Sequence, residues 1–134
     1  MGLEVRFLIN RVHERRKAER VQVQGNLYLD YRHPGSGESG YAQGKDLSAR
    51  GICFACDSKF PKRTSLDLTI RFSPYYGQQR PIQARVFVVH CYRELPQRHY
   101  RMGVVFDNLD PSSYNEIRAF IHWLKKQESE SYHR

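Results

Sequence analysis

A period of two, repeated in run after run and then broken once, constrains this chain more than any other feature of its sequence. From Val21 onward Val21, Val23, Leu27, Leu29 and Tyr31 share one face, and Gln22, Gln24, Asn26, Tyr28 and Asp30 share the other. Successive side chains of a strand point to opposite sides, so this alternation predicts an antiparallel strand with one face on a core and one in water. His33 to Gly40 carries three glycines and a proline and predicts a turn or short loop. A second strand is expected over 41–45, and a third, short and mostly buried, over 52–56. Leu66, Leu68, Ile70 and Phe72 alternate in a fourth strand that stops at Ser73-Pro74. The fifth runs from 82 to 94, with Ile82, Ala84, Val86, Val88 and His90 on one face. Tyr100, Met102, Val104 and Phe106 make a sixth.

The period then changes. Tyr114, Ile117, Phe120, Ile121 and Leu124 recur at steps of three and four, Asp110 is a good N-cap and Pro111 suits the first helical position. This predicts an amphipathic helix over 111–127 that lays its apolar stripe on the strands. Six strands with hairpin-length connections and one helix give an all-β fold class: a six-stranded antiparallel barrel, split or Greek-key-like, with a C-terminal α-helix. At 134 residues the chain fits one domain. Residues 1–14 form an extension with apolar Leu3, Val5, Phe7, Leu8, Ile9 and Val12. Residues 15–127 form the barrel and helix, and 128–134 a polar tail expected to fray.

The formal net charge is +8, which favours anionic partners. Sixteen of the 22 basic residues are arginines, whose planar forks suit phosphate and guanine better than a diffuse lysine surface does. No run approaches the length needed to span a bilayer, and the N-terminus carries charges where a signal peptide needs an apolar stretch, so the chain is expected in the cytoplasm, without membrane insertion. Cys53 and Cys56 form a lone C-x-x-C; on a strand their spacing puts the thiols on opposite faces, which predicts structural cysteines. The six histidines show no i, i+4 pair, so neither a metal nor a cofactor is expected. No Ser, Cys or His has a recognisable base and orienting partner, which excludes the usual nucleophilic enzymes.

Two short motifs remain. Arg16-x-x-x-Arg20 runs directly into the first strand, and Asp46-x-Ser48-x-x-Gly51 lies in the turn between the second and third. With 16 arginines chance supplies about two R-x-x-x-R pairs, and Arg11 with Arg15 is the other one. The D-x-S-x-x-G spacing is expected only about 0.03 times from six Asp, ten Ser and nine Gly. The second motif is therefore the discriminating one. Together with the barrel pattern, the Y-R-M-G-V-V-F sixth strand and the terminal helix, the two resemble the PilZ domain, the bacterial receptor module for cyclic di-GMP.

That resemblance covers essentially the whole chain and implies a non-enzymatic receptor. Arg16 and Arg20 are the implied clamps on guanine and phosphate, Asp46 and Ser48 the acceptors that meet a guanine donor edge or hold an arginine, and Gly51 the position where a side chain would block the site. In the family an arginine where this chain has Arg15 goes with a stacked, intercalated ligand dimer, which is the expectation here. The ligand is expected to order the N-terminal arm onto the barrel for a downstream protein partner, in the control of biofilm or motility. Two other readings fit the residues less well. One is a basic barrel that stacks single-stranded nucleic acid on its aromatics, against which most aromatics fall on core faces. The other is a ligand-free protein-interaction module, against which both motifs are intact.

Overall fold

The computed structural model describes residues 19–77, 80–96 and 98–132. Among these described residues seven strands and one long helix follow one another: β1 Val21–Gln22, β2 Leu27–Arg32, β3 Ser39–Leu47, β4 Gly51–Cys56, β5 Ser65–Phe72, β6 Ile82–Glu94, β7 His99–Phe106 and α1 Pro111–Tyr132. All pairings are antiparallel, in the order β3-β2-β5-β6-β7-β4, and β4 pairs back to β3 to close a six-stranded barrel. The expected fold class is the one observed.

The expected first strand is in fact two. A turn over Val23–Asn26, closed by Asn26 N–H donating to the Val23 carbonyl at 2.8 Å, separates β1 from β2. Gly25 takes φ +85° in that turn, a conformation open to glycine at little cost. The turn spans four residues, an even number, so the alternation continues in phase across it and hides the break. β1 then pairs with the far end of β3, Val21 opposite Leu47 and Gln22 opposite Asp46. This places residue 20 beside the D-x-S-x-x-G turn.

The barrel interior is filled by the alternating residues. Leu27 and Leu29 from β2, Phe54 from β4, Leu66, Leu68 and Ile70 from β5, Val86 from β6 and Met102 from β7 are all at most 1% exposed. Asp110 caps α1, accepting from Ser113 N–H at 3.1 Å and from the Ser113 hydroxyl at 2.8 Å, and these bonds hold its carboxyl below the usual range. Ile117, Phe120, Ile121 and Leu124 face the barrel. The Phe120 ring lies 4.4 Å from Phe72, 5.0 Å from Tyr76 and 5.8 Å from Trp123, closing the core with an aromatic plug. The helix runs on to Tyr132, past the boundary at 127 that the apolar spacing suggested, because Gln127 to Ser131 includes no helix breaker.

Two bulges interrupt the ladders, one in β3 between Gly44 and Asp46 and one in β6 between Val88 and His90. The second overturns the face expected for His90. Alternation put it with Val88 on the core side; the extra residue of the bulge turns it to the outside, and Cys91 packs against the core instead. A bulge has no signature in the period-two pattern, so the sequence could not announce the flip.

Candidate functional site

Both bulges face one patch of the outer barrel wall. Residues directly opposite one another in adjacent strands share a face, and three strand pairings place Asp46, Cys53, Gly103 and His90 in one transverse row across β3, β4, β7 and β6. The row above it contains Gly51, Val105 and Phe87, and the row below Ala55, Arg101 and Tyr92. Small residues at 51, 53 and 103 hollow the wall. The result is a groove of about 330 Å³ whose lining includes Arg20, Asp46, Ser48, Arg50, Gly51 and His90.

Gly51 is required by packing rather than by a special backbone angle. A Cβ at this position would stand 2.0 Å from the carbonyl oxygen of Val104 and 3.1 Å from Val105 Cα, both in the backbone of the neighbouring strand. Only a residue without a side chain lets β4 and β7 pair here. The turn itself is held by Ser48, whose N–H donates to the Gly51 carbonyl at 3.0 Å and whose hydroxyl accepts from Arg50 N–H at 3.1 Å. The Arg50 carbonyl in turn accepts from Phe106 N–H at 2.8 Å, so the loop is pinned to β7.

Asp46 does not face the groove alone. Arg101 of β7 donates to its carboxylate at 3.4 Å, and the other guanidinium nitrogen reaches Glu94 of β6 at 3.5 Å. Arg101 therefore bridges two carboxylates across the row, with the Cys53 thiol beneath it. Burial, with the Asp46 charge second, pushes the Cys53 thiol up, and burial pushes Cys56, on the opposite face of β4, up to about 11. Both are thus thiols rather than thiolates at neutral pH. A thiol reagent applied to the native protein at pH 7.5 is expected to leave Cys53 and Cys56 largely unmodified until denaturant is added, with peptide mass mapping as the readout. Rapid labelling of Cys53 would contradict its burial.

The imidazole of His90 lies over Gly103, where a Cβ would approach within 2.2 Å of its Nε2. Its Nδ1 is buried without a hydrogen-bond partner. Burial, then the charges of Arg20 and Arg101, hold its pKa below the ordinary histidine value, so it is neutral near pH 7.

Of the six site residues expected from sequence, Arg20, Asp46, Ser48 and Gly51 meet at this groove. Arg15 and Arg16 lie outside the described residues. Arg50, Arg101, Glu94, Cys53 and His90 were not singled out as site residues. Arg101 belongs to the Y-R-M-G-V-V-F strand motif, and the signal that points to it is that this strand pairs with the one leaving the D-x-S-x-x-G turn. Among the described residues no group of three or more His, Cys, Asp or Glu is placed to hold a metal ion, and no helix is long and apolar enough to cross a membrane.

A match to the PilZ domain covers residues 14–123, from the arginine arm to the core turns of α1. The chain belongs to the PilZ domain family. Among curated proteins no sequence matches it significantly. The PilZ fold is shared with solved structures of low identity. The inhibitor of motility MotI/DgrA from Bacillus subtilis superposes with TM-score 0.68 at 16% identity, covering 85% of this chain and 51% of that one. MrkH from K. pneumonia, in a complex with c-di-GMP, gives 0.73 at 14% identity over 86% of this chain and 54% of that one. This PilZ domain thus spans about half the length of those chains. The isolated PilZ domain of YcgR from Escherichia coli, with c-di-GMP, gives 0.66 at 14% identity, covering 90% of this chain and 98% of that one.

Proposed function

We propose that this PilZ domain is a non-enzymatic cytoplasmic receptor for cyclic di-GMP, and that the nucleotide binds in the groove between the arginine arm and the Asp46 to Gly51 turn. The observation that carries this reading is the convergence, from two separate stretches of chain, of Arg20 and of Asp46, Ser48 and Gly51 on one groove. The c-di-GMP complexes of MrkH and YcgR support it at the level of the family. The ligand's two phosphodiesters and its guanine O6 and N7 are acceptors that arginine forks match. Its guanine N1 and N2 are donors for a carboxylate. With Arg101 already on one Asp46 oxygen, the second oxygen faces the ligand's donor edge.

The relay follows from where the arm is rooted. Val21 and Val23 are buried in the barrel, so the chain N-terminal to them hangs from a fixed point. Arg20 turns toward the groove while its neighbour Glu19 accepts a hydrogen bond from Lys125 of α1. Ligand drawn in by Arg20, with Arg15 and Arg16 closing over it, would order residues 10–20 against the barrel, and the ordered arm with the adjoining helix is the surface a downstream partner reads. Control of motility or biofilm formation is the fitting output.

Isothermal titration of the full chain with cyclic di-GMP tests this reading. Saturable binding is expected, with two ligand molecules per chain if Arg15 supports an intercalated pair; one per chain would overturn the dimer and leave the receptor standing. Arg20→Ala and Asp46→Ala are each expected to weaken binding at least tenfold, about 1.4 kcal/mol, with an unchanged β-sheet circular dichroism spectrum. Wild-type affinity in Arg20→Ala would sink the assignment of the site.

A further inference from the structure

We propose that His90 is itself a ligand-contacting residue of the groove, whose imidazole takes a proton from solvent as the nucleotide binds and pairs as a cation with one of its phosphodiesters. This rests on the receptor reading above and deepens it.

Three features of the geometry lead there. The bulge at Val88 to His90 is what brings the ring out of the core row and into the groove, and bulges commonly re-aim a side chain beside a site. Gly103 opposite leaves the hollow in which the ring lies; any larger residue there would meet the imidazole first. In this position Nδ1 is buried and bonded to nothing, a costly arrangement for a polar atom and one that a ligand acceptor relieves once the ring turns toward it.

The charges around the ring fix the direction of the effect. Arg20 at the arm root, Arg101 on β7 and Lys62 in the loop between β4 and β5 oppose its protonation, Asp46 on β3 favours it, and burial outweighs each of them. Tyr92 on its own strand lies 5.8 Å away, ring to ring, and Cys53 on β4 is an uncharged thiol. In the free protein the balance keeps His90 neutral. A doubly anionic ligand seated beside Arg20 cancels the cationic surplus and supplies an acceptor, so the imidazolium becomes the favoured form in the complex.

The linkage has a definite sign. If His90 binds its proton more tightly in the complex than in the free protein, affinity rises as pH falls from 8 toward 6, by at most about tenfold per pH unit. It levels off once the free protein is protonated as well. The ligand's diesters stay ionised across this range.

The test is titration of the full chain with cyclic di-GMP at pH 6, 7 and 8, in phosphate and in Tris buffer, whose ionisation enthalpies differ. The wild type is expected to take up to about one proton per chain on binding, and to bind more tightly at pH 6 than at pH 8. His90→Gln, which keeps hydrogen-bonding capacity but cannot carry charge, is expected to lose the uptake and flatten the profile, with its largest loss of affinity at pH 6. A neutral side chain that merely packed would leave both readouts unmoved. Wild-type binding without proton uptake, or uptake that survives in His90→Gln, overturns the role of His90 and leaves the receptor reading intact. No binding by the wild type at any pH overturns both.

Discussion

Gly51→Ala is expected to lower the thermal midpoint of this domain by about 10 °C, corresponding to a loss of about 3 kcal/mol. The added methyl would sit 2.0 Å from the Val104 carbonyl oxygen, with Val104 C and Val105 Cα also inside normal contact distance. All three atoms are backbone, so no side chain can rotate away. Relief requires β4 and β7 to separate at the Gly51 and Val105 pair, and the end of that ladder is where the D-x-S-x-x-G turn is pinned. The same substitution should therefore also weaken the nucleotide at temperatures where the protein remains folded. Gly25→Ala is the control: it meets nothing within 4 Å and is strained only by its positive φ, so about 1 kcal/mol is expected, with ligand affinity little changed. Thermal unfolding followed by circular dichroism compares them. A midpoint for Gly51→Ala equal to that of Gly25→Ala would show that the glycine answers to the ligand and not to the sheet.

Phe120→Ala should be the most destabilising single truncation in α1, at about 3–5 kcal/mol. The ring is fully buried, and Phe72, Tyr76 and Trp123 all touch it. Removing it opens a cavity lined by rigid aromatic rings, which collapse poorly into the space. None of these residues lines the groove, so the folded fraction should still bind cyclic di-GMP. Denaturant unfolding gives the stability and titration below the transition gives the affinity. A loss under about 1 kcal/mol would mean that the helix is an appendage and not part of the core.

The two substitutions mark how far the sequence could be read. The strands and the helix were legible because burial imposes periods of two and 3.6 on the side chains, and Phe120 fell on the right face by that rule alone. The break between β1 and β2 was not, because its four residues kept the alternation in phase. Asp46, Ser48 and Gly51 could be found through a spacing that chance seldom makes, yet the reason for Gly51 could not, since the atom that forbids a side chain belongs to residue 104. His90 was misplaced for a related cause. One extra residue in a ladder reverses every later side chain, and nothing in the local pattern records it. Arg101 and Glu94 enter the site from strands far along the chain, and only the register of β6, β7, β4 and β3 brings them to Asp46.

Closure of the barrel has a last consequence, for the kind of partner this domain can have. Each of its six strands pairs with a neighbour on both sides, but over part of its length only: β6 meets β5 over residues 82–87 and β7 over residues 86–94. Among the described residues, a protein that recognises its target by adding a strand finds no barrel strand with a whole edge open, only short lengths such as residues 39–42 of β3 and the two residues of β1. Side chains on the outer faces of the strands and on the exposed flank of α1 therefore offer a partner more than the backbone does. Those are also the surfaces whose residues can change without disturbing the core.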